Sequence, residues 1–443
     1  MFNSPDTAWV APPAHPTGYS LPLEAAVSDL TSRRTFIKAG SAAGLLFGSS
    51  GAAAAQAPKP RAEELARLMT APVLRRELLT SPVLIESIDL IKAGDQFLVR
   101  ARSTDGAVGT AAGHPDVLET TWPILTRKVA PFFAKKDARD LEALLAELYI
   151  AGSNYKWQGL PFWVPVASVE IALLDLLGHV ARKPFGELFG PIVRRDVAVY
   201  RASGNRGNSA AAELEYLQQL VGEIGAKAIK FRLGARMRYD DASTKRDLAL
   251  IPLTRKTFGA AMAIHADANS SYDVPMALRI GRLMHEQRFA FFEEPVPFDF
   301  YDETREVADA LTLPVAGGEQ DSSLRRFRWM IEHRAVDIVQ PDIFYFGGFI
   351  RSIRVARMAA AAGMDCTPHM SDGGLGYLYV AHFASCVPNA GPFQEYKGRD
   401  ESLPVASDTS TLRCLNGMLK VPAGPGLGVT IDPAFVAKGE VIR

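Results

Sequence analysis

Six apolar runs in the second half of the chain each end on an ionisable side chain, at an almost constant step. AAMAIHADAN closes on Asp267 and Asn269, FAFFEEP on Glu293, LPVAGGE on Glu319, AVDIVQPD on Asp342, MDCTPH on His369 and GPFQE on Glu395. The ionisable positions are separated by 26, 26, 23, 27 and 26 residues. Upstream, AIKFR delivers Lys230 and Arg232. A run that is apolar throughout, such as Phe289 to Phe292, reads as a strand buried on both faces, the mark of a parallel sheet. Pro295 then stops its ladder just beyond the two glutamates. Between the runs, VPMALRIGRLMHEQ and FIRSIRVARMAAAAG repeat apolar residues at three- and four-residue spacing, the helical period. Strand and helix alternating at a fixed step is a βα repeat.

Ionisable groups at the C-terminal ends of successive strands are the arrangement of a (β/α)8 barrel, which keeps its site there. A doubly wound open sheet is the rival. It concentrates its ligand at one switch point and often carries a glycine-rich phosphate loop. No GxGxxG or GxxxxGK[ST] occurs in this chain, so the ring is the better reading.

With 443 residues, 48% of them hydrophobic, there is material for more than one domain. Lysine plus arginine number 49 and aspartate plus glutamate 49. That balance points away from nucleic acid and from a charged membrane surface. Three cysteines without CxxC spacing indicate neither a disulfide framework nor a zinc site. The first 57 residues differ in kind. TSRRTFIKAGSAAGLLFGSSGAAAAQA places Arg33 and Arg34 ahead of a mild apolar run and then small residues, which resembles a twin-arginine export signal. The run is too short and glycine-rich to span a membrane stably, so export to the periplasm or beyond is expected.

Residues 58–189 combine strand-like alternation around a TDG turn with helical segments ending in VASVEIALLDLLGHVARKPFGELFG, an α+β domain ahead of the barrel. Residues 190–414 hold the repeat. Residues 415–443, beginning with NGMLKVPAGPGLGV, are strand and turn and are expected to return to the first domain.

Taken together, these motifs resemble the enolase superfamily, in particular its mandelate racemase and muconate lactonizing enzyme branch. EIALLDLLGHVARKPFGELFG is similar to that branch's capping-domain helix and GAKAIKFRLG to its Lys-x-Lys strand. HADAN, FFEEP and GGE match the three metal strands, and PDIFYFGG and PHMS the Asp and His strands. The resemblance implies a modified TIM barrel of (β/α)7β form with an N-terminal α+β cap completed by the C-terminal segment. It also implies removal of a proton α to a carboxylate, assisted by Mg2+. Asp267, Glu293 and Glu319 take the ligand positions, and their equal spacing separates them from the neighbours Glu294 and Asp321. Asn269 stands as a support or substrate contact. His369 matches the catalytic base, with Asp342 accepting its other ring N–H and raising its basicity. Glu395 matches a strand-eight acid that bonds the substrate carboxylate.

One departure is informative. The branch often has lysine at both ends of Lys-x-Lys, the second acting as a base, but here that place holds Arg232. Guanidinium stays protonated and is a poor proton acceptor, though a strong partner for carboxylate and hydroxyl groups. One base then remains, which suits a dehydratase of an acid sugar: His369 takes the α-proton and returns it to the departing β-hydroxyl. Two alternatives stay open: an epimerase, racemase or cycloisomerase in which Lys230 supplies a second base, and an exported sugar-acid binding protein without turnover. A small-molecule carboxylate is the expected partner, a homo-oligomer the expected assembly. Specificity is expected from loops of the first domain around His114 or Tyr155 to Trp157.

Overall fold

The computed structural model describes residues 62–371, 374–399 and 401–443. The segment with Arg33 and Arg34 lies outside the described residues. After α1 (Ala62–Thr70), three antiparallel strands follow: β1 (Ile85–Ala93), β2 (Gln96–Ser103) and β3 (Val108–Ala112). The TDG turn joins the last two, with Gly106 N bonding back to Ser103 O at 2.9 Å. Helices α2 (Pro115–Ile124), α3 (Ala130–Phe133), α4 (Leu141–Ile150) and α5 (Leu160–Ala181) complete this domain. Helix α5 is apolar nearly all round because it is buried nearly all round. It lies over β2 and β3 on one side and meets the barrel on the other.

The barrel alternates eight strands with seven helices: β4 (Asp196–Ala202), α6 (Ala210–Ile224), β5 (Ala228–Arg232), α7 (Asp241–Phe258), β6 (Ala263–Asp267), α8 (Val274–Glu286), β7 (Phe291–Glu293), α9 (Tyr301–Ala310), β8 (Val315–Gly317), α10 (Leu324–His333), β9 (Ile338–Val339), α11 (Phe349–Ala361), β10 (Asp365–Cys366), α12 (Gly376–Cys386) and β11 (Gln394–Tyr396). The strands β4 to β10 pair in parallel in chain order, and β11 folds back beside β4, with Glu395 opposite Tyr200. Cys366 N donates to Asn389 O (2.9 Å) where β10 meets the segment before β11. This is the expected (β/α)7β ring. Phe231 and Phe292 are fully buried on these strands, each contributing about 1.5–3 kcal/mol by leaving water.

Two expectations are corrected. The strand expected over Phe289 to Phe292 is Phe291–Glu293. Arg288 adopts a left-handed φ of 54° and Phe289 N bonds Met284 O at 3.0 Å, so the preceding residues finish helix α8 instead. The C-terminal segment does not return to the cap from its start. After β12 (Val405–Ala406) and β13 (Cys414–Leu415), β14 (Met418–Lys420) pairs antiparallel with β4 and so extends the barrel sheet. The segment then meets the cap at Gly426 and Leu427, where Gly426 N bonds Lys183 O (2.9 Å) and Leu427 N bonds Asp175 Oδ1 of α5 (2.7 Å), and after β15 (Thr430–Ile431) and α13 (Pro433–Ala437), β16 (Glu440–Ile442) joins β1.

Cap and barrel are locked by a buried carboxyl. Glu170 of α5 accepts from Phe349 N (2.5 Å) and Ile350 N (3.1 Å), capping the first turn of α11. Burial pushes its pKa up to about 8, against those two donors. Gly348, at φ 106°, has to be glycine: a Cβ there would fall 1.7 Å from the Glu170 carboxyl. His382 of α12 makes a second joint, with Nε2 3.0 Å from Leu427 O and its ring against Phe185.

Burial pushes the His382 pKa down to about 4. Below its unfolded pKa near 6.5 the unfolded chain binds a proton that the folded chain refuses. The stability from neutral His382 is therefore full above about pH 6.5 and is lost as pH falls toward 4, a cost of about 3 kcal/mol. The melting temperature is expected to drop across this window, and His382→Gln, which cannot charge, should show a shallower drop. Parallel melting curves of the two proteins between pH 7 and 4.5 would refute the assignment.

Candidate active site

The strand register assembles the site. Arg232 lies opposite Asp267, and Asp267 opposite Glu293, across β5, β6 and β7. Paired residues of parallel neighbours share a face, so these three side chains enter the barrel mouth in one row. Lys230, opposite His265, lies one layer deeper. Glu319 follows β8 after Gly318, whose φ of 109° and contact with the Phe327 ring leave no room for a side chain. Asp342 and His369 bridge each other beyond β9 and β10.

Asp267, Glu293 and Glu319 are buried and place one oxygen each within 4.8 Å of the others. Three anions so close need positive charge among them. Lys230 Nζ supplies one, bonding Glu293 at 2.8 and 3.0 Å and Glu395 at 3.1 Å. Burial works against the charge on Lys230, but Glu293 and Glu395 outweigh it and hold its pKa above the usual value. Arg232 touches Asp267. Even so, among the described residues no aligned hydrogen-bond donor meets the buried Asp267 Oδ2 or Glu319 Oε2. Three hard carboxylates with orphaned oxygens fit a divalent cation such as Mg2+, with positions left for water and substrate.

The two neighbouring acids separate clearly. Glu294, at φ 40°, turns to Ser270, whose hydroxyl is 3.5 Å from its carboxyl. Burial, then repulsion from Glu319 and Glu293, holds its pKa well above the usual range. Asp321 is drawn away by Arg326 (2.8 Å) and Tyr301 (3.1 Å).

Across the mouth, His369 Nδ1 lies 2.7 Å from Asp342 Oδ2. Asp342 also accepts from Phe344 N and Tyr345 N (2.8 Å each) and from Ser371 N (2.9 Å). Burial opposes its charge, yet His369 and these donors hold its pKa low. With Nδ1–H given to a fixed carboxylate, Nε2 carries the lone pair. Nε2 faces Glu319 at 3.2 Å and Glu395 at 3.5 Å. Burial would lower the pKa of His369, but Glu319 and Glu395, helped by Asp342, raise it. Glu395 is no surface acid: it is buried and also accepts from Met370 N at 3.2 Å.

Asn269 bonds Glu319 through Nδ2 (3.3 Å), and its N–H caps Asp267 Oδ1 (2.6 Å), so it supports two ligands at once. Its Oδ1 faces Arg232 Nη1 at 3.5 Å and also meets Arg206, a residue of the β4–α6 loop that the strand-end pattern passed over. The run DVAVYRA ends four residues before it, outside the regular step. Burial, then repulsion from Arg232 and Arg236, presses the Arg206 pKa down to about 9.

Of the cap residues, His114 reaches the site. Its ring stacks on Tyr345 (5.7 Å between centroids), next to the backbone that holds Asp342, and its buried Nε2 has no hydrogen-bond partner among the described residues. Trp157 is 46% exposed, with Lys128 Nζ 5.7 Å from its ring, on a segment that contains left-handed Gly152 and Ser153.

Residues 212–435 match the family described as enolase C-terminal domain-like. The chain is 30% identical over 336 residues to arabinonate dehydratase of Saccharolobus solfataricus, covering 74% of this chain and 86% of that protein. It is 32% identical to a Roseobacter denitrificans structure provisionally described as a racemase, covering 81% of this chain and 99% of that one at a TM-score of 0.74. A mandelate racemase/muconate lactonizing protein from Paracoccus denitrificans, solved with magnesium, is 26% identical at a TM-score of 0.74 over 82% of this chain and 99% of that one.

Glu293→Gln is expected to weaken Mg2+ binding by about tenfold or more, and Glu294→Gln to change it far less. Calorimetric titration of both variants with Mg2+ decides this; equal losses, or wild-type affinity in Glu293→Gln, would mean that the ligand is misassigned.

Proposed function

The chain belongs to the enolase superfamily, in its mandelate racemase and muconate lactonizing enzyme branch, and from that premise we propose that it is a Mg2+-dependent dehydratase of an acid sugar. Asp267, Glu293 and Glu319 would hold the ion. When bound, it supplies fixed positive charge to the substrate carboxylate as the α-carbon loses its proton.

His369 Nε2 takes that proton, and Asp342 keeps the ring oriented and favours its charged form. The electron pair of the broken C–H bond expels the β-hydroxyl, which leaves as water with the proton returned by His369. The enol left behind takes up a proton at C3 and loses the one on its C2 oxygen, becoming a 2-keto-3-deoxy acid. Arg232 and Asn269, on β5 and beyond β6, face the substrate from across the mouth and hold its oxygens.

The observation that carries this reading is the count of bases. His369 is a carboxylate-oriented imidazole on one side, and Arg232 is a guanidinium on the other. Lys230, the remaining amine, is clasped between Glu293 and Glu395 below the row of ligands. Elimination needs one base, whereas racemisation through two faces needs two. The relation to arabinonate dehydratase supports the same choice. His369→Asn should abolish exchange of the α-proton, and Arg232→Lys should mainly raise KM. The measurement is NMR in D2O with both C2 epimers of the acid offered; deuterium at C2 of both epimers would restore the epimerase reading.

We further propose export through the twin-arginine route, on the strength of Arg33 and Arg34 ahead of the apolar run. Replacing both with lysine should leave folded, active protein in the cytoplasm; unchanged export, followed by fractionation, would rule the route out.

A further inference from the structure

The mouth holds more positive charge than the reaction outlined above uses. Arg206 reaches in from the β4–α6 loop and meets Asn269 Oδ1, the same oxygen that Arg232 Nη1 approaches at 3.5 Å. Two guanidinium groups thus converge on one neutral amide. Arg232 has Asp267 as its counter-charge. Among the described residues no carboxylate lies within salt-bridge distance of Arg206, and Arg232 and Arg236 oppose its charge. Among the described residues, the Nε–H groups of Arg206 and Arg232 are both buried without an acceptor. Buried donors left unpaired are costly, and charged ones most of all.

The loop is built to keep Arg206 there. Glu213, fully buried on α6, bonds the Ser203 hydroxyl at 2.5 Å and Asn208 Nδ2 at 2.9 Å, on either side of Arg206. Asn208 O accepts in turn from Arg246 Nε at 3.1 Å. A loop stapled at both ends holds one long cation over the mouth, which a solvated surface arginine would not require.

We infer that Arg206 is a substrate-binding residue and forms, with Arg232, a two-guanidinium clamp for a carboxylate group of the substrate. Planar forks with fixed donors match the two oxygens of a carboxylate better than they match neutral hydroxyls. The inference rests on the reading that this mouth accepts an acid substrate. The carboxylate gripped is either the one beside the reacting carbon or a second one at the far end of a diacid, and the two sources differ in which compounds feel the loss.

The test is calorimetric binding of five-carbon aldonates and of the matching aldarates to the Mg2+-loaded enzyme, in wild type, Arg206→Gln and Arg206→Lys. Gln can still donate to Asn269, so a purely structural contact survives while the charge is removed. Loss of one charge-assisted bidentate contact should weaken binding about 10- to 100-fold in Arg206→Gln, with Mg2+ affinity unchanged. Lys, which keeps the charge without the fork, should fall between. Equal weakening of both compound classes assigns the clamp to the reacting carboxylate; weakening of aldarates alone assigns it to the distal one. Wild-type affinity in Arg206→Gln, a parallel fall in Mg2+ affinity, or no binding of any of these acids by wild type would overturn the clamp. Formation of 2-keto-3-deoxy products, followed separately, reports on the dehydratase reading. Product without dependence on Arg206 sinks the clamp alone, and Arg206-dependent binding without product sinks the dehydratase alone.

Discussion

Positive charge has to stand among the carboxylates of the barrel mouth, and much of the surrounding structure answers that need. Asp267, Glu293 and Glu319 bring oxygens within 4.8 Å of one another in a buried space, where repulsion is far stronger than in water. Lys230 takes up part of it by binding Glu293 and Glu395 together. Arg232 takes up another part at Asp267. Glu294 has a left-handed backbone and meets the Ser270 hydroxyl at 3.5 Å, and burial with repulsion from Glu319 and Glu293 raises its pKa. What remains is a set of oxygens still short of donors, which is the state that a divalent cation relieves.

The same accounting separates the two sides of the mouth. His369 and Asp342 stand beyond β10 and β9, held by three backbone N–H groups that fix the Asp342 carboxylate. Arg232 and Arg206 stand beyond β5 and β4 and cannot accept protons at neutral pH. A substrate lying between them meets a proton acceptor on one face and fixed cations on the other. The proposed preference for elimination over racemisation rests on which side chain each strand end carries.

The cap is part of this site because it is tied to the barrel by buried polar contacts as well as by apolar packing. Glu170 caps the first turn of α11 from the far side of the domain boundary. The Tyr379 hydroxyl of α12 bonds both the N–H and the carbonyl of Ala112, at 2.9 Å each. That fixes the end of β3, and two residues later His114 lies against Tyr345 and the backbone of the dyad. Small shifts of the cap would therefore be felt at Asp342, through rings rather than through a flexible loop.

Much was legible in the amino acids alone. The regular step of apolar runs predicted a parallel ring, because only strands buried on both faces can lack alternation and only a repeat can keep the step. The same step singled out Asp267, Glu293, Glu319, Asp342, His369 and Glu395, since the C-terminal end of each strand opens on one mouth. The tertiary structure decided what has no period. Arg206 sits on a loop outside the step, and its place over the mouth depends on Glu213, ten residues after Ser203 in the chain yet bonded to it. His114 and Trp157 looked alike as aromatic candidates of the cap, but His114 is buried against Tyr345 whereas Trp157 is 46% exposed. Residues 415–420 read as a return to the cap and instead extend the barrel sheet beside β4. Strand-end chemistry follows from local pattern, whereas loop reach and edge pairing depend on contacts between residues far apart in sequence, which pattern does not encode.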